Sequence, residues 1–317
     1  MICTEEMLAK DKMEEECGVF GVYCKENKEV SQMCYYAMYA LQHRGQESAG
    51  ITVSNGGQLY SYKGMGLTAD VFTEETLNQL QGNAAIAHVR YSSFKDNKIE
   101  NAQPIESRFK LGQIAVAHNG NLTNSKVIRE LLEDGGATFT STSDSEVVIK
   151  MIARKAADGL EEAIKATVSA VKGAYAFVML ADKKLIGIRD PYGIRPLCIG
   201  TNDAGDYFLA SESCAIDAIG GHIVRDVEAG EMVIIDDNGI KSVKYAENRN
   251  IAPCSFEHIY FARPDSTIDG INVYQARVEA GKLLAKQCKV DADIVIGVPD
   301  SGVPAAIGYA EESGIPY

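Results

Sequence analysis

Two short apolar runs, AAIAHVRYS (84–92) and LGQIAVAHNG (111–120), stop abruptly in polar residues. Runs of this length and composition read as strands that bury their side chains in a sheet. Their polar ends constrain what the chain can become. The same style recurs in LQHRGQESAG (41–50), AHNGNLTN (117–124) and STSDSE (141–146), each setting His, Arg, Asn, Gly or Asp beside an apolar segment. A strand end or a helix start can present such residues together, so the chain reads as a sheet protein with its chemistry at the element ends.

The order of elements fits that reading. CGVFGVYC (17–24) has strand character, and KEVSQMCYYAMYALQHRG (28–45) reads as a helix ending at Gly45. A hairpin turned by Asn55-Gly56-Gly57 is predicted over 49–64. Two helices follow the apolar strands: NSKVIRELLED, stopped by Gly135-Gly136, and SDSEVVIKMIARKA, with a capping box at Ser143 and Glu146. After a third helix, EEAIKATVSAVKG, the chain becomes strand-rich, in AYAFVMLA, KLIGIRD, PLCIG, DYFLASE and EMVIIDDNGI, the last carrying a strong hairpin signal. The pattern changes near Ile251. The helical YQARVEAGKLLAKQC, the apolar strand DIVIGVP and the helical SGVPAAIGYAEES then read as the start of a parallel β/α unit. The sequence predicts units at 17–250 and 251–317, the second too short for a complete doubly wound domain. A length of 317 residues agrees with about two domains.

Composition narrows the function classes. With 46% hydrophobic and 24% charged residues the chain is globular, and its net charge of −13 opposes nucleic-acid binding, which needs clustered Lys and Arg. The N-terminal MICTEEMLAKDKMEEE lacks the apolar core of a secretory signal, and no membrane-spanning run is present in the sequence, so a soluble cytoplasmic protein is expected. The eight cysteines contain no Cys-x-x-Cys pair and no zinc-site spacing, and read as reduced thiols.

Several residues could carry chemistry. Arg44 and Arg90 could grip a substrate carboxylate by bidentate hydrogen bonds, and Asn119 with Gly120 could offer N–H donors to a developing oxyanion. Asp144 could accept a substrate ammonium. With Cys17 as nucleophile, the set suits a small amino acid attacked at its side-chain carbonyl. Each also has a plainer reading: salt-bridged arginines, an Asn-Gly turn, a capping aspartate. His43, His88 and His118 lack metal-site spacing and read as structural histidines, and the lone GMG at 64–66 is too short for a dinucleotide motif. Cys17 itself follows Glu14, Glu15 and Glu16, carboxylates that disfavour the reactive thiolate. Either the thiol is an inert core residue, or the chain changes before it works.

Taken together, ECGVFGVY, YALQHRGQESAGI, AHVRYS, AHNGNLTN, STSDSE, GAYAF, IRDPYGIRPL and ASESCA resemble the N-terminal-nucleophile glutaminase domain of class II glutamine amidotransferases. YFARPDSTIDGINVYQAR and VIGVPDSGVPAAIGYAEESGIPY are similar to the purine-synthesis branch, which uses phosphoribosylpyrophosphate. The resemblance implies an α+β fold: a four-layer αββα sandwich followed by the start of an α/β phosphoribosyltransferase domain. It implies that residues 1–16 are a propeptide removed by self-cleavage and that Cys17, as the new N-terminus, is the nucleophile. Asn119 and Gly120 then match the oxyanion hole, Arg90 the clamp on the glutamine α-carboxylate, Asp144 the partner of its α-ammonium, and Arg44 with Gly45 the loop that closes over glutamine. Tyr260 and Arg263 match a nucleotide-inhibitor site, Ser301 a position of the Mg²⁺–phosphoribosylpyrophosphate site, and Cys254 the first ligand of a [4Fe–4S] cluster.

The departures are specific. The acidic phosphoribosylpyrophosphate loop and the later cluster cysteines are not in this sequence, and Cys254 alone cannot hold a cluster that needs four ligands. Ser93 stands where many relatives carry a Thr-Ala-Gly-type stretch. The expected partners are glutamine, phosphoribosylpyrophosphate and purine nucleotides, in a homotetramer, with glutamine hydrolysis alone expected from these 317 residues. Two alternatives stay open: an amidotransferase of the glucosamine-6-phosphate synthase type, and a non-catalytic regulatory protein that retains the glutaminase fold.

Overall fold

The computed structural model describes residues 17–91, 98–247 and 250–317. The expected propeptide and Ser93 lie outside these residues. Strand β1 (Gly18–Lys28) leads into helix α1 (Val30–Ala40), then the hairpin β2 (Ser48–Asn55) and β3 (Gln58–Met65). Short helices α2 (Thr68–Val71) and α3 (Glu74–Gln79) precede β4 (Gly82–Arg90). Next come β5 (Ile105–Phe109), β6 (Gly112–Leu122), α4 (Ser125–Asp134), α5 (Asp144–Lys155) and α6 (Leu160–Ala170). Strands β7 (Gly173–Ala181), β8 (Lys184–Arg189), β9 (Cys198–Thr201) and β10 (Tyr207–Ala210) follow. Helix α7 (Ser213–Asp217), β11 (His222–Asp226), β12 (Glu231–Asp236) and β13 (Gly239–Lys244) complete this part.

The strands form two antiparallel sheets, ordered β11-β9-β10-β1-β4-β2-β3 and β13-β12-β8-β7-β6-β5. Alternation along β1 shows how they stack, because successive side chains point to opposite faces. Val19 and Tyr23 join Ala117, Val178, Leu185 and Val233 of the other sheet in one core layer. Phe20, Val22 and Cys24 instead meet Val30, Cys34, Ala37 and Met38 of α1. The outer face of the second sheet is covered by Val148, Ile149 and Ile152 of α5 and Ile164 and Val168 of α6. Helix, sheet, sheet and helix thus lie in four layers, as expected.

Beyond residue 250, a π-helical turn (Glu257–Phe261) precedes the small hairpin β14 (Thr267–Ile268) and β15 (Ile271–Asn272), then α8 (Val273–Gln287) and α9 (Gly302–Ser313). This segment is tied back to the sandwich. Arg189 makes two hydrogen bonds to Asp269, at 2.7 and 2.8 Å, and the Thr267 N–H donates to Ser213 Oγ at 2.9 Å.

Two local expectations are corrected. DIVIGVP forms no strand: its backbone makes a hydrogen bond from the Val295 N–H to the Pro316 carbonyl at 2.8 Å, but among the described residues no strand pairs with it in a ladder, and Ile296 and Val298 are about 80% exposed. Ser143 does cap α5, accepting from the Ser145 N–H, but Glu146 does not complete a capping box. Its carboxylate accepts instead from the backbone N–H groups of Thr140 and Ser141 and from the Ser141 hydroxyl, pinning the loop that enters the helix.

Candidate active site

Cys17 is fully buried at the start of β1, and the β1–β4 register sets its neighbour Gly18 opposite Val89, next to Arg90. Its Sγ lies 3.8 Å from the Tyr91 carbonyl oxygen. Across the sheet interface, His88 Nε2 sits 2.9 Å from the carbonyl oxygen of His118, which brings the ends of β4 and β6 together. The next two residues are Asn119 and Gly120. Pairing of β1 with β4 and stacking of β4 on β6 therefore gather Cys17, Arg90, Asn119 and Gly120 from three distant stretches of sequence.

Asn119 is fully buried, and neither atom of its side-chain amide has a hydrogen-bond partner among the described residues. A buried amide left unpaired costs roughly 1–3 kcal/mol, so it marks a place where a polar group is to be received. Gly120 has φ of +137°, and a Cβ there would stand 2.0 Å from the Ala174 carbonyl oxygen. Only glycine fits this turn of the backbone against β7.

Asp144 begins α5 and points back towards β6. Its Oδ2 accepts the Leu122 N–H at 2.9 Å, and its Oδ1 lies 3.2 Å from His118 Nδ1. Burial alone would raise this carboxyl, but the charge and hydrogen bond of His118 and the N–H groups of Leu122 and Ser145 outweigh it and hold it below the usual carboxylate range. A carboxylate kept ionised at this position suits a cationic group.

Arg44 is placed differently from a residue on a closing loop. It is fully buried, and its Nε donates to the Cys17 carbonyl oxygen at 3.0 Å. Its terminal nitrogens donate to Glu212 Oε1 at 2.6 Å and to both oxygens of Glu257 at 2.9 Å. Glu212 in turn lies 2.7 Å from His43 Nε2 and accepts from the Ser266 hydroxyl at 2.7 Å and the Arg263 N–H at 2.9 Å. Burial would push Glu212 up, yet the Arg44 charge and these hydrogen bonds carry it well below its ordinary value. Gly45 backs so closely on Arg90 that a Cβ would stand 2.5 Å from the Arg90 carbonyl carbon. Sequence reasoning missed Glu212 and Glu257. The signal it had for Glu212 was a charge inside an otherwise apolar and small run, ASESCA.

Tyr260, Arg263 and Ser301 line one cavity of about 600 Å³, together with His43, Gln46 and Tyr91 from the sandwich. No group of three or more His, Cys, Asp or Glu side chains among the described residues could hold a metal ion. Cys254 is half-buried, with its N–H donated to the Ile194 carbonyl, and among the described residues no set of cysteines gathers around it. The residues described do not fit an iron–sulfur cluster.

The histidine in the wall gives this site an acid limit. Burial lowers His88 from 6.5 to about 3, with the charges of Arg90 and His118 adding to the effect and its hydrogen bond to the His118 carbonyl opposing it. The fold therefore keeps His88 neutral while the unfolded chain takes up a proton. Its stabilisation is complete above pH 6.5 and is lost progressively as pH falls towards 3. Glu212 and Asp144, both depressed, add stability above their ordinary values of 4.5 and 3.8 that is lost below them. Urea midpoints measured from pH 8 downwards are expected to fall in two stages. His88→Gln is expected to flatten the stage above pH 4.5.

The comparisons with known proteins bear on the same residues. A family model described as a glutamine amidotransferase domain matches residues 88–218, which hold Arg90, Asn119, Gly120, Asp144 and Glu212. The amidophosphoribosyltransferase of Methanocaldococcus jannaschii is 46% identical over 319 residues, covering 95% of this chain and 67% of that protein. The chain belongs to the amidophosphoribosyltransferase family. The amidophosphoribosyltransferase of Bacillus subtilis is 48% identical over 314 residues, covering 98% of this chain and 65% of its own length. A solved structure of the B. subtilis glutamine phosphoribosylpyrophosphate amidotransferase, complexed with ADP and GMP, matches with a TM-score of 0.90 and 47% identity. It covers 95% of this chain and 65% of that one. The chain thus spans about 65% of the length of these amidophosphoribosyltransferases. Among the described residues no helix is long and apolar enough to cross a membrane.

Proposed function

We propose that this chain hydrolyses glutamine at Cys17, as the ammonia-producing part of an amidophosphoribosyltransferase. The buried amide of Asn119, unpaired among the described residues, carries the reading. Removal of residues 1–16 would free the Cys17 amine, whose reference pKa of roughly 7.7–8.0 leaves a neutral fraction at neutral pH. That amine takes the thiol proton, through a water, as Sγ attacks the glutamine δ-carbonyl. The Asn119 side chain and the Gly120 N–H stabilise the oxyanion, the protonated Cys17 amine returns its proton to the leaving nitrogen so that ammonia departs, and water hydrolyses the thioester to glutamate and the free thiol. Arg90 binds the α-carboxylate and Asp144 the α-ammonium.

In the whole protein the ammonia displaces pyrophosphate from phosphoribosylpyrophosphate and gives 5-phosphoribosylamine, the first committed step of purine synthesis. Tyr260 and Arg263 contribute to binding purine nucleotides, and Ser301 to the Mg²⁺–phosphoribosylpyrophosphate site. Mg²⁺ would screen the pyrophosphate charge there. The family resemblance supports a cytoplasmic homotetramer.

Incubating the purified chain with glutamine is expected to release glutamate, with an intact mass that starts at Cys17. Glutamate release by a chain that keeps residues 1–16 would refute the amine-assisted step, and no release at all would refute the glutaminase reading.

A further inference from the structure

We propose that Glu257, which lies outside the matched amidotransferase segment, is a positioning residue that holds the nucleophile through Arg44. The inference rests on the glutaminase reading above. Both terminal nitrogens of Arg44 donate to Glu257, Nη1 at 2.9 Å to Oε2 and Nη2 at 2.9 Å to Oε1. A planar guanidinium gripped in this way has no rotation left, and its Nε–H is aimed at the Cys17 carbonyl oxygen, 3.0 Å away. That carbonyl belongs to the residue whose thiol and amine react, so a shift of Arg44 turns both.

The charge of Arg44 alone does not require Glu257. Arg44 already has a full counter-charge in Glu212, at 2.6 Å and equally buried. Glu257 also faces Arg195, 3.5 Å away, so this buried cluster sets two carboxylates against two guanidiniums. What the second carboxylate adds is the two-pronged geometry. It sits on a π-helical turn, and such turns cluster at functional sites.

The test compares wild type, Glu257→Gln and Glu257→Asp as full chains, measuring kcat and KM for glutamine hydrolysis and the melting temperature. Glu257→Gln is expected to lower kcat about 10- to 100-fold while KM stays within about threefold, because the nucleophile is misaimed and the substrate contacts remain. A folded Glu257→Gln with wild-type kcat overturns the proposal, whatever its melting temperature or KM. Should that variant not fold, Glu257→Asp, which keeps the charge and shortens the reach, decides: a reduced kcat supports the proposal and a wild-type kcat overturns it. Wild type that releases no glutamate defeats the glutaminase reading and this proposal with it. An active wild type with an unaffected variant defeats this proposal alone.

Discussion

Replacing Cys17 by alanine is expected to leave a folded chain whose glutamate release falls by at least about four orders of magnitude. The structural cost is small. Alanine keeps the Cβ at the edge of β1, so the loss is one buried sulfur atom, about 1 kcal/mol, an ordinary value for a single substitution. The catalytic cost is total for the covalent route, because the thioester cannot form and Asn119 and Gly120 can stabilise only direct attack by water. The same variant is expected to keep residues 1–16, which intact-mass measurement reads directly. A C17A chain that still releases glutamate at the wild-type rate would place the nucleophile elsewhere.

Gly120→Ala is expected to fail at the level of the fold. The added methyl group would stand 2.0 Å from the Ala174 carbonyl oxygen, far inside contact distance, on a residue whose φ of +137° side chains rarely adopt. Relief requires opening the β6–β7 ladder beside the Gly120–Tyr175 pair, in the interior of the second sheet. Clash and backbone strain together place the loss at about 4 kcal/mol or more, the exceptional end of single substitutions. Thermal unfolding should show it as a large drop in midpoint, or as insoluble protein. Whatever fraction folds should hydrolyse glutamine poorly, since the Gly120 N–H no longer holds its direction. A soluble variant with wild-type midpoint and kcat would contradict both the packing and the role given to this residue.

These two residues were legible in the sequence for different reasons. Cys17 drew notice through the glutamates beside it, and Asn119-Gly120 through the abrupt end of an apolar strand. The Asn55-Gly56-Gly57 hairpin, the helices of 125–134 and 160–170, and the turn at Asp236–Gly239 were local enough to read, because each depends on residues within a few positions. Arg44 was seen, but its placement was not. Its carboxylate partners are 168 and 213 positions away, and no local pattern tells a buried guanidinium beneath the nucleophile from one on a loop over the substrate. Glu146 shows the same limit on a smaller scale: the spacing of a capping box was there, and the entering loop claimed the carboxylate. DIVIGVP had a strand's composition, but a strand needs a neighbour.

The place of β1 has a consequence for the order in which the molecule assembles. Its residues 20–23 pair with β10, and the Val19 amide and carbonyl are met by Ser211, 192 positions along the chain. Contacts of such separation form slowly, after the chain entropy between them has been given up. During synthesis, the central strand of the first sheet lacks one of its two neighbours until residue 210 has left the ribosome. The pocket around Cys17 is therefore among the last parts of the sandwich to close, and the thiol meets its final surroundings only when nearly the whole sandwich is present.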